Sequence, residues 1–164
     1  MISQTSEYAL RAVVYLAQVG GGPCVAQDIA EATKVPVGYL HKILRMLSKA
    51  RILVAQRGVG GGFALAKVPT AISVMDVLRA TDSAMERIER CPLGIKGHTS
   101  LCSLHRMLDE AIADAEQRFS GTSLADLLNE SGPSKPLCET EGGGVVQVTT
   151  PGGGSNGARR KNSK

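Results

Sequence analysis

Seven cations and no carboxylate lie between residues 34 and 67: Lys34, Lys42, Arg45, Lys49, Arg51, Arg57 and Lys67. A positive field concentrated in this way attracts polyanions and supplies the salt-dependent part of nucleic-acid affinity. A solvated basic surface has the same composition, so spacing must decide. Tyr39, His41, Lys42, Arg45 and Lys49 fall on one side of a helical pattern whose other side is Leu40, Ile43, Leu44 and Leu47. A helix fits the width of the major groove, where tyrosine, histidine and lysine reach base edges or phosphates. Further on comes Arg57-Gly58-Val59-Gly60-Gly61-Gly62. Glycines such as Gly58 and Gly60 let a backbone approach phosphates closely, and an arginine at a turn suits a narrow minor groove. The plain alternative is a turn with no ligand. A nucleotide-binding loop is excluded: no Gly-Lys-Ser/Thr follows, and the glycines join two strands instead of leading into a helix.

Four cysteines form the second chemical set: Cys24, Cys91, Cys102 and Cys138. No uninterrupted apolar run of signal-peptide or membrane-spanning length opens the chain, which points to the cytoplasm and away from membranes. In that reducing compartment, cysteines serve as metal ligands, redox sensors or inert thiols more often than as a disulfide framework. Cys102 and His105 have the types of a nucleophile and base, but no nucleophile turn and no third group to orient the histidine accompany them, so no enzyme is expected.

Several short elements must position these residues. The 164 residues include no tryptophan, three tyrosines and two phenylalanines, so the core is aliphatic, which favours helices. Helices are predicted over residues 3–19, with a stop at Gly20-Gly21-Gly22, over 25–33, and over 36–50 with Pro36 at the first helical position. Apolar runs at 52–55 and 63–66, joined by the glycines, predict a β-hairpin. A fourth helix is expected over 73–80. Leu101, Leu104, Leu108, Ile112, Ala115 and Phe119, spaced by threes and fours, predict a long helix capped by Thr99 or Ser100, with a seam that can pack against a twin. Another short helix is expected within 122–129. The fold class is therefore mainly α: a winged helix-turn-helix with a small β-hairpin wing and a long C-terminal dimerisation helix. Between residues 83 and 130 five cations meet eight carboxylates, reversing the charge of the basic stretch.

Three segments resemble the IscR/NsrR-type (Rrf) winged-helix regulators: Met1-Ile-Ser-Gln-Thr-Ser-Glu-Tyr-Ala-Leu-Arg-Ala, Val37-Gly-Tyr-Leu-His-Lys-Ile-Leu and Arg57-Gly-Val-Gly-Gly-Gly-Phe-Ala-Leu-Ala. The resemblance covers about residues 1–130. It implies a dimeric repressor or activator, in many members carrying an iron-sulfur cluster on three cysteines in the loop before the long helix. Cys91 and Cys102 stand where the first and last of those cysteines are expected, and His105 matches a histidine three residues after the last. The middle cysteine is missing, and His98 is the one strong ligand type between Pro92 and Leu101. Glu7 lies where a nitric-oxide-sensing relative donates a carboxylate from the partner subunit. Two thiolates and two imidazoles suit a two-iron cluster with histidines on one iron, or zinc; a metal-free loop or a reversibly oxidised cysteine pair remains open. Cys24 and Cys138 are expected to be structurally neutral.

The expected organisation is a DNA-binding domain over 1–82, a sensor loop over 83–98, dimerisation helices over 99–130 and a disordered, glycine-rich tail over 131–164. The expected function is a homodimer that reads a palindromic double-stranded operator, sensing iron-sulfur, redox or nitric oxide status through the Cys/His loop. The alternative is a metal-free repressor of the same fold, controlled by thiol oxidation, a small molecule or a protein partner.

Overall fold

The computed structural model describes residues 2–20, 22–81, 85–92, 94 and 100–130. Helix α1 (Gln4–Val19) starts at Ser3, whose side chain accepts from the backbone N–H of Ser6, and stops at Gly20 in the left-handed region. Helix α2 (Ala26–Thr33) lacks a side-chain cap and ends at Lys34, φ 56°. Val35 then buries its side chain and donates its N–H to the Ala30 carbonyl, turning the chain into helix α3 (Val37–Lys49). Pro36 is the N-cap of α3 and not its first residue, and its carbonyl takes the amides of Tyr39 and Leu40.

Strands β1 (Leu53–Gln56) and β2 (Gly62–Leu65) pair antiparallel, Leu53 opposite Leu65 and Gln56 opposite Gly62. The hairpin begins and ends one residue away from the apolar runs, because Gln56 and Gly62 are recruited to close the ladder. Its second strand is also paired on the other side: Cys24 donates its amide to Phe63 and accepts the Phe63 amide, at 2.9 and 2.8 Å. The wing is thereby tied to the segment leading into α2.

A 3-10 turn at Pro69–Ala71 leads to helix α4 (Val74–Ala80). Helix α5 (Ser103–Gly121) is the long helix, and helix α6 (Leu124–Asn129) follows it. Both short helices open with a reciprocal cap, Ser73 with Asp76 and Ser123 with Asp126. The Ser-x-x-Asp spacing carries that signal in the sequence. Ser103 and not residue 101 begins α5, and its N-cap is Cys102 rather than Thr99 or Ser100.

One aliphatic core joins α1, α2, α3, β1 and α6, through Ala12, Val13, Ile29, Leu40, Ile43, Leu44, Leu47, Leu53 and Leu124 among others. Truncating one of these fully buried leucines to alanine costs about 2–5 kcal/mol by the behaviour of such sites. A smaller cluster of Val74, Met75 and Leu78 receives Phe119 from α5 and Leu127 from α6. Helix α6 is stitched in further by the Leu124 amide on the Ile72 carbonyl and the Val74 amide on the Thr122 carbonyl, both 2.9 Å. No side chain of α5 is fully buried, and Leu104, Met107 and Leu108 of the expected seam region are exposed. No described helix is long and apolar enough to cross a membrane.

Candidate nucleic-acid interface and thiol cluster

The core buries one face of α3 and leaves the other outside. Leu40, Ile43, Leu44 and Leu47 are fully covered, so the helical period puts Tyr39, His41, Lys42, Arg45 and Lys49 outside, where all five are exposed. The ion pairs among the described residues are Glu7–Arg11, Arg79–Glu116 and Arg87–Asp109, so Lys42, Arg45 and Arg57 keep their charge unpaired. Tyr39 is braced: its hydroxyl bonds the Thr5 hydroxyl at 2.5 Å, its ring meets Tyr8 edge-on at 5.9 Å, and the Lys42 ammonium lies 5.9 Å from its centroid. Helix α1 therefore orients an outward residue of α3.

The wing turn is built by backbone conformations that side chains resist. Gly58 and Gly60 have φ of 97° and 76°, and the Gly61 amide closes the turn on the Gly58 carbonyl. Arg57 and Val59 are exposed at its tip. A cationic helix face and an arginine-bearing wing are the two parts with which winged helix-turn-helix proteins grip a duplex.

The second site forms where α5 begins. Among the described residues, Cys91, Cys102 and His105 bring one ligand atom each to within 4.8 Å of one another. His105 Nδ1 lies 3.2 Å from the Cys102 sulfur and 3.6 Å from that of Cys91. Cys102 and His105 meet because they are three apart at a helix start; Cys91 arrives from residues 85–92. The backbone N–H of His105, in the first turn of α5, is the chief cause that holds the Cys102 thiol below its ordinary pKa. Cys24 is shifted the other way, chiefly by burial and further by Asp28. Two thiols and an imidazole are a donor set that fits zinc or the iron of a cluster.

Of the other expected ligands, Glu7 is not in this group; its carboxylate pairs with Arg11 at 2.6 Å. His98 lies outside the described residues, as do Cys138 and the whole stretch 131–164. A contact that sequence reasoning missed anchors the segment carrying Cys91. Arg87 makes a bidentate pair with Asp109, at 2.7 and 2.6 Å, and the Ile88 amide adds a third bond to the same carboxylate at 2.9 Å. These bonds hold the Asp109 carboxyl down at about 2. Charges 22 residues apart leave no periodic trace in a sequence.

This fold, with an outward cationic helix and an arginine-tipped hairpin, defines a winged helix-turn-helix DNA-binding protein. Residues 2–130 match the Rrf2 family, described as iron-dependent transcriptional regulators, and the chain belongs to that family. An HTH-type transcriptional regulator of Aquifex aeolicus is 31% identical over 133 residues, covering 79% of this chain and 92% of the relative. Among solved structures, IscR of T. potens superposes with a TM-score of 0.65 at 26% identity, covering 78% of this chain and 85% of that one. CymR, the global cysteine regulator of B. subtilis, shares the fold with a TM-score of 0.68 at 23% identity, covering 77% and 95%. The protein is a DNA-binding transcriptional regulator and, like these relatives, not an enzyme.

Proposed function

We propose that the protein is a homodimer that reads an imperfect palindrome in double-stranded DNA and adjusts its grip through a metal centre at Cys91, Cys102 and His105. The observation that carries the sensing half is the convergence of those three donor atoms within 4.8 Å at the N-terminal end of α5. An iron-sulfur cluster is the favoured occupant, supported by the iron-dependent description of the family; zinc suits the same donors. The fourth donor is His98 or, across a dimer, Glu7 of a second copy. Such a centre would supply sensitivity to iron, oxidants or nitric oxide, while this chain's residues hold it against the start of α5.

Base and phosphate contacts are assigned to Tyr39, His41, Lys42 and Arg45 on α3 and to Arg57, Gly58 and Gly60 in the wing. The organisation that goes with this is a DNA-binding part over 1–82, a sensor segment over 83–98, helices over 99–130 that carry the dimer contact, and a tail over 131–164. The exposed Leu104 and Leu108 support pairing of two copies along α5. Each copy then offers one α3 to successive major-groove faces.

The test is purification without oxygen, an absorption spectrum, metal analysis and operator binding, for the wild type and for Cys91→Ala. A brown wild type whose colour and metal are lost in the variant, with altered operator affinity, is expected. Colourless, metal-free protein whose DNA binding ignores Cys91 overturns the sensing half. A second reading has its own support: the Cys91 and Cys102 sulfurs lie within 4.8 Å and the His105 amide holds the Cys102 thiol below its ordinary pKa, which suits control by reversible disulfide formation. It predicts a colourless protein whose DNA affinity changes on oxidation.

A further inference from the structure

We infer that the Arg87–Asp109 pair is a positioning clamp for the thiol cluster, setting the register in which the segment carrying Cys91 lies along α5. This inference rests on Cys91, Cys102 and His105 being a functional site. The two contacts share one geometry. Arg87 meets Asp109, and Cys91, four residues later, meets His105, four residues earlier on the helix. The segment therefore runs antiparallel to α5 and is pinned at two points one helical turn apart.

The spans show why a pin is needed. Asp109 and His105 are separated by about 6 Å along the helix axis, whereas four residues of extended chain cover about 13 Å. Residues 87–91 have slack, and the chain takes it up with a bend at Arg90. Without the upstream pin Cys91 could settle at many distances from Cys102. The clamp is built to remove that freedom: Asp109 is only 15% exposed, both of its oxygens are engaged by the guanidinium, and one also accepts the Ile88 amide, which fixes backbone as well as side chain. Arg87 serves better than lysine would, because its planar fork matches the carboxylate in a single orientation. Helix α5 thus carries both halves of the arrangement: Cys102 and His105 as donors, and Asp109 as the point from which the third donor is placed.

The experiment uses the full chain and two readouts, one of which needs no metal. Wild type, Arg87→Ala, Arg87→Lys and Asp109→Asn are equilibrated in a glutathione redox buffer. There Cys91 and Cys102 each lose a proton and an electron to oxidised glutathione, forming one disulfide and two reduced glutathiones, and the 91–102 disulfide is measured by peptide mapping. The same proteins are titrated anaerobically with Co²⁺, following the thiolate-to-cobalt absorption. Arg87→Ala and Asp109→Asn should lower the disulfide equilibrium constant and weaken Co²⁺ binding about 10- to 100-fold, the range for groups that orient metal ligands. Arg87→Lys should recover part of both. Thermal unfolding of the DNA-binding core should be unchanged, which separates positioning from general destabilisation. Disulfide equilibria equal to wild type in Arg87→Ala and Asp109→Asn would overturn the clamp, whatever cobalt does. A wild type that ignores Co²⁺ while the disulfide equilibrium still falls in the variants would sustain the clamp and remove the metal.

Discussion

Gly62 and Cys24 approach each other more closely than any side chain would permit: a β-carbon on Gly62 would collide with the Cys24 carbonyl oxygen. That contact is backbone on backbone, so no rotamer can relieve it. Gly62→Ala must push β2 away from the segment before α2 and break the two Cys24–Phe63 hydrogen bonds. The expected outcome is a loss of about 1–3 kcal/mol in stability together with a fall in operator affinity of at least tenfold, read by thermal melts and fluorescence anisotropy. Unchanged affinity would mean that the anchoring of the wing is irrelevant to DNA.

Arg57→Ala and Lys42→Ala probe the two reading elements separately. Loss of Arg57 should weaken operator binding by about 1–3 kcal/mol and relax preference at the positions under the wing. Removing Lys42 should weaken binding to all sequences alike and reduce the slope of log affinity against log salt by about one. Titrations at several salt concentrations on operator and random duplexes distinguish the two. Neither side chain is buried, so thermal stability should not move.

Helix α5 presents Leu104, Met107 and Leu108 to solvent within one chain. Leu108→Glu leaves the intrachain packing of α5 through Phe119 untouched but puts a charge into the proposed pairing seam. Sedimentation should report a monomer, and affinity for a full palindrome should fall by about 100-fold or more as two linked half-site contacts become one. A variant that sediments as the wild type does would remove α5 from the dimer contact.

Asp109 gives a pH dependence with a definite sign. Its carboxyl sits at about 2 instead of the ordinary 3.8, chiefly through Arg87 and then the Ile88 amide. A depressed carboxylate contributes stability that is present above the unfolded value and lost as pH falls through the folded one. The advantage of wild type over Asp109→Asn in holding residues 85–90 on α5 should therefore be constant from pH 7 to about 5 and shrink between about 4 and 2. Hydrogen exchange of the Ile88 amide, extrapolated across that range, measures it.

Much of this architecture is visible in the residue order because its causes are local. Leu40, Ile43, Leu44 and Leu47 announce α3 and its outward face together, and the run from Arg57 to Gly62 permits little except a tight turn between strands. The family resemblance at residues 37–44 and 57–66 agrees with both. What escaped was set by distant or competing partners. Thr99 and Ser100 are better capping types than Cys102, yet the helix begins after the cysteine. The seam of α5 reads as a buried stripe, but within one chain Leu104 and Leu108 stand exposed, and the proposed second copy is what would cover them. Gly62 looks like one more turn glycine, while its decisive neighbour lies 38 residues earlier. Cys91, Cys102 and His105 stand out by type, but no spacing rule anticipates the Arg87–Asp109 salt bridge that anchors the segment carrying Cys91.

Helix α5 buries none of its side chains completely within its own chain, and helices draw most of their stability from what packs on them. Under the proposed pairing of two copies, abundance of the protein acts as an input in its own right. If two copies pair along α5 as proposed, mass action strips that cover from the helix as copies become scarce, and the cysteine and histidine at its leading end would lose their frame while the DNA-binding core stays folded. On the proposed reading, a cell holding few molecules of this regulator would have not merely less of it but a blunter sensor on each one.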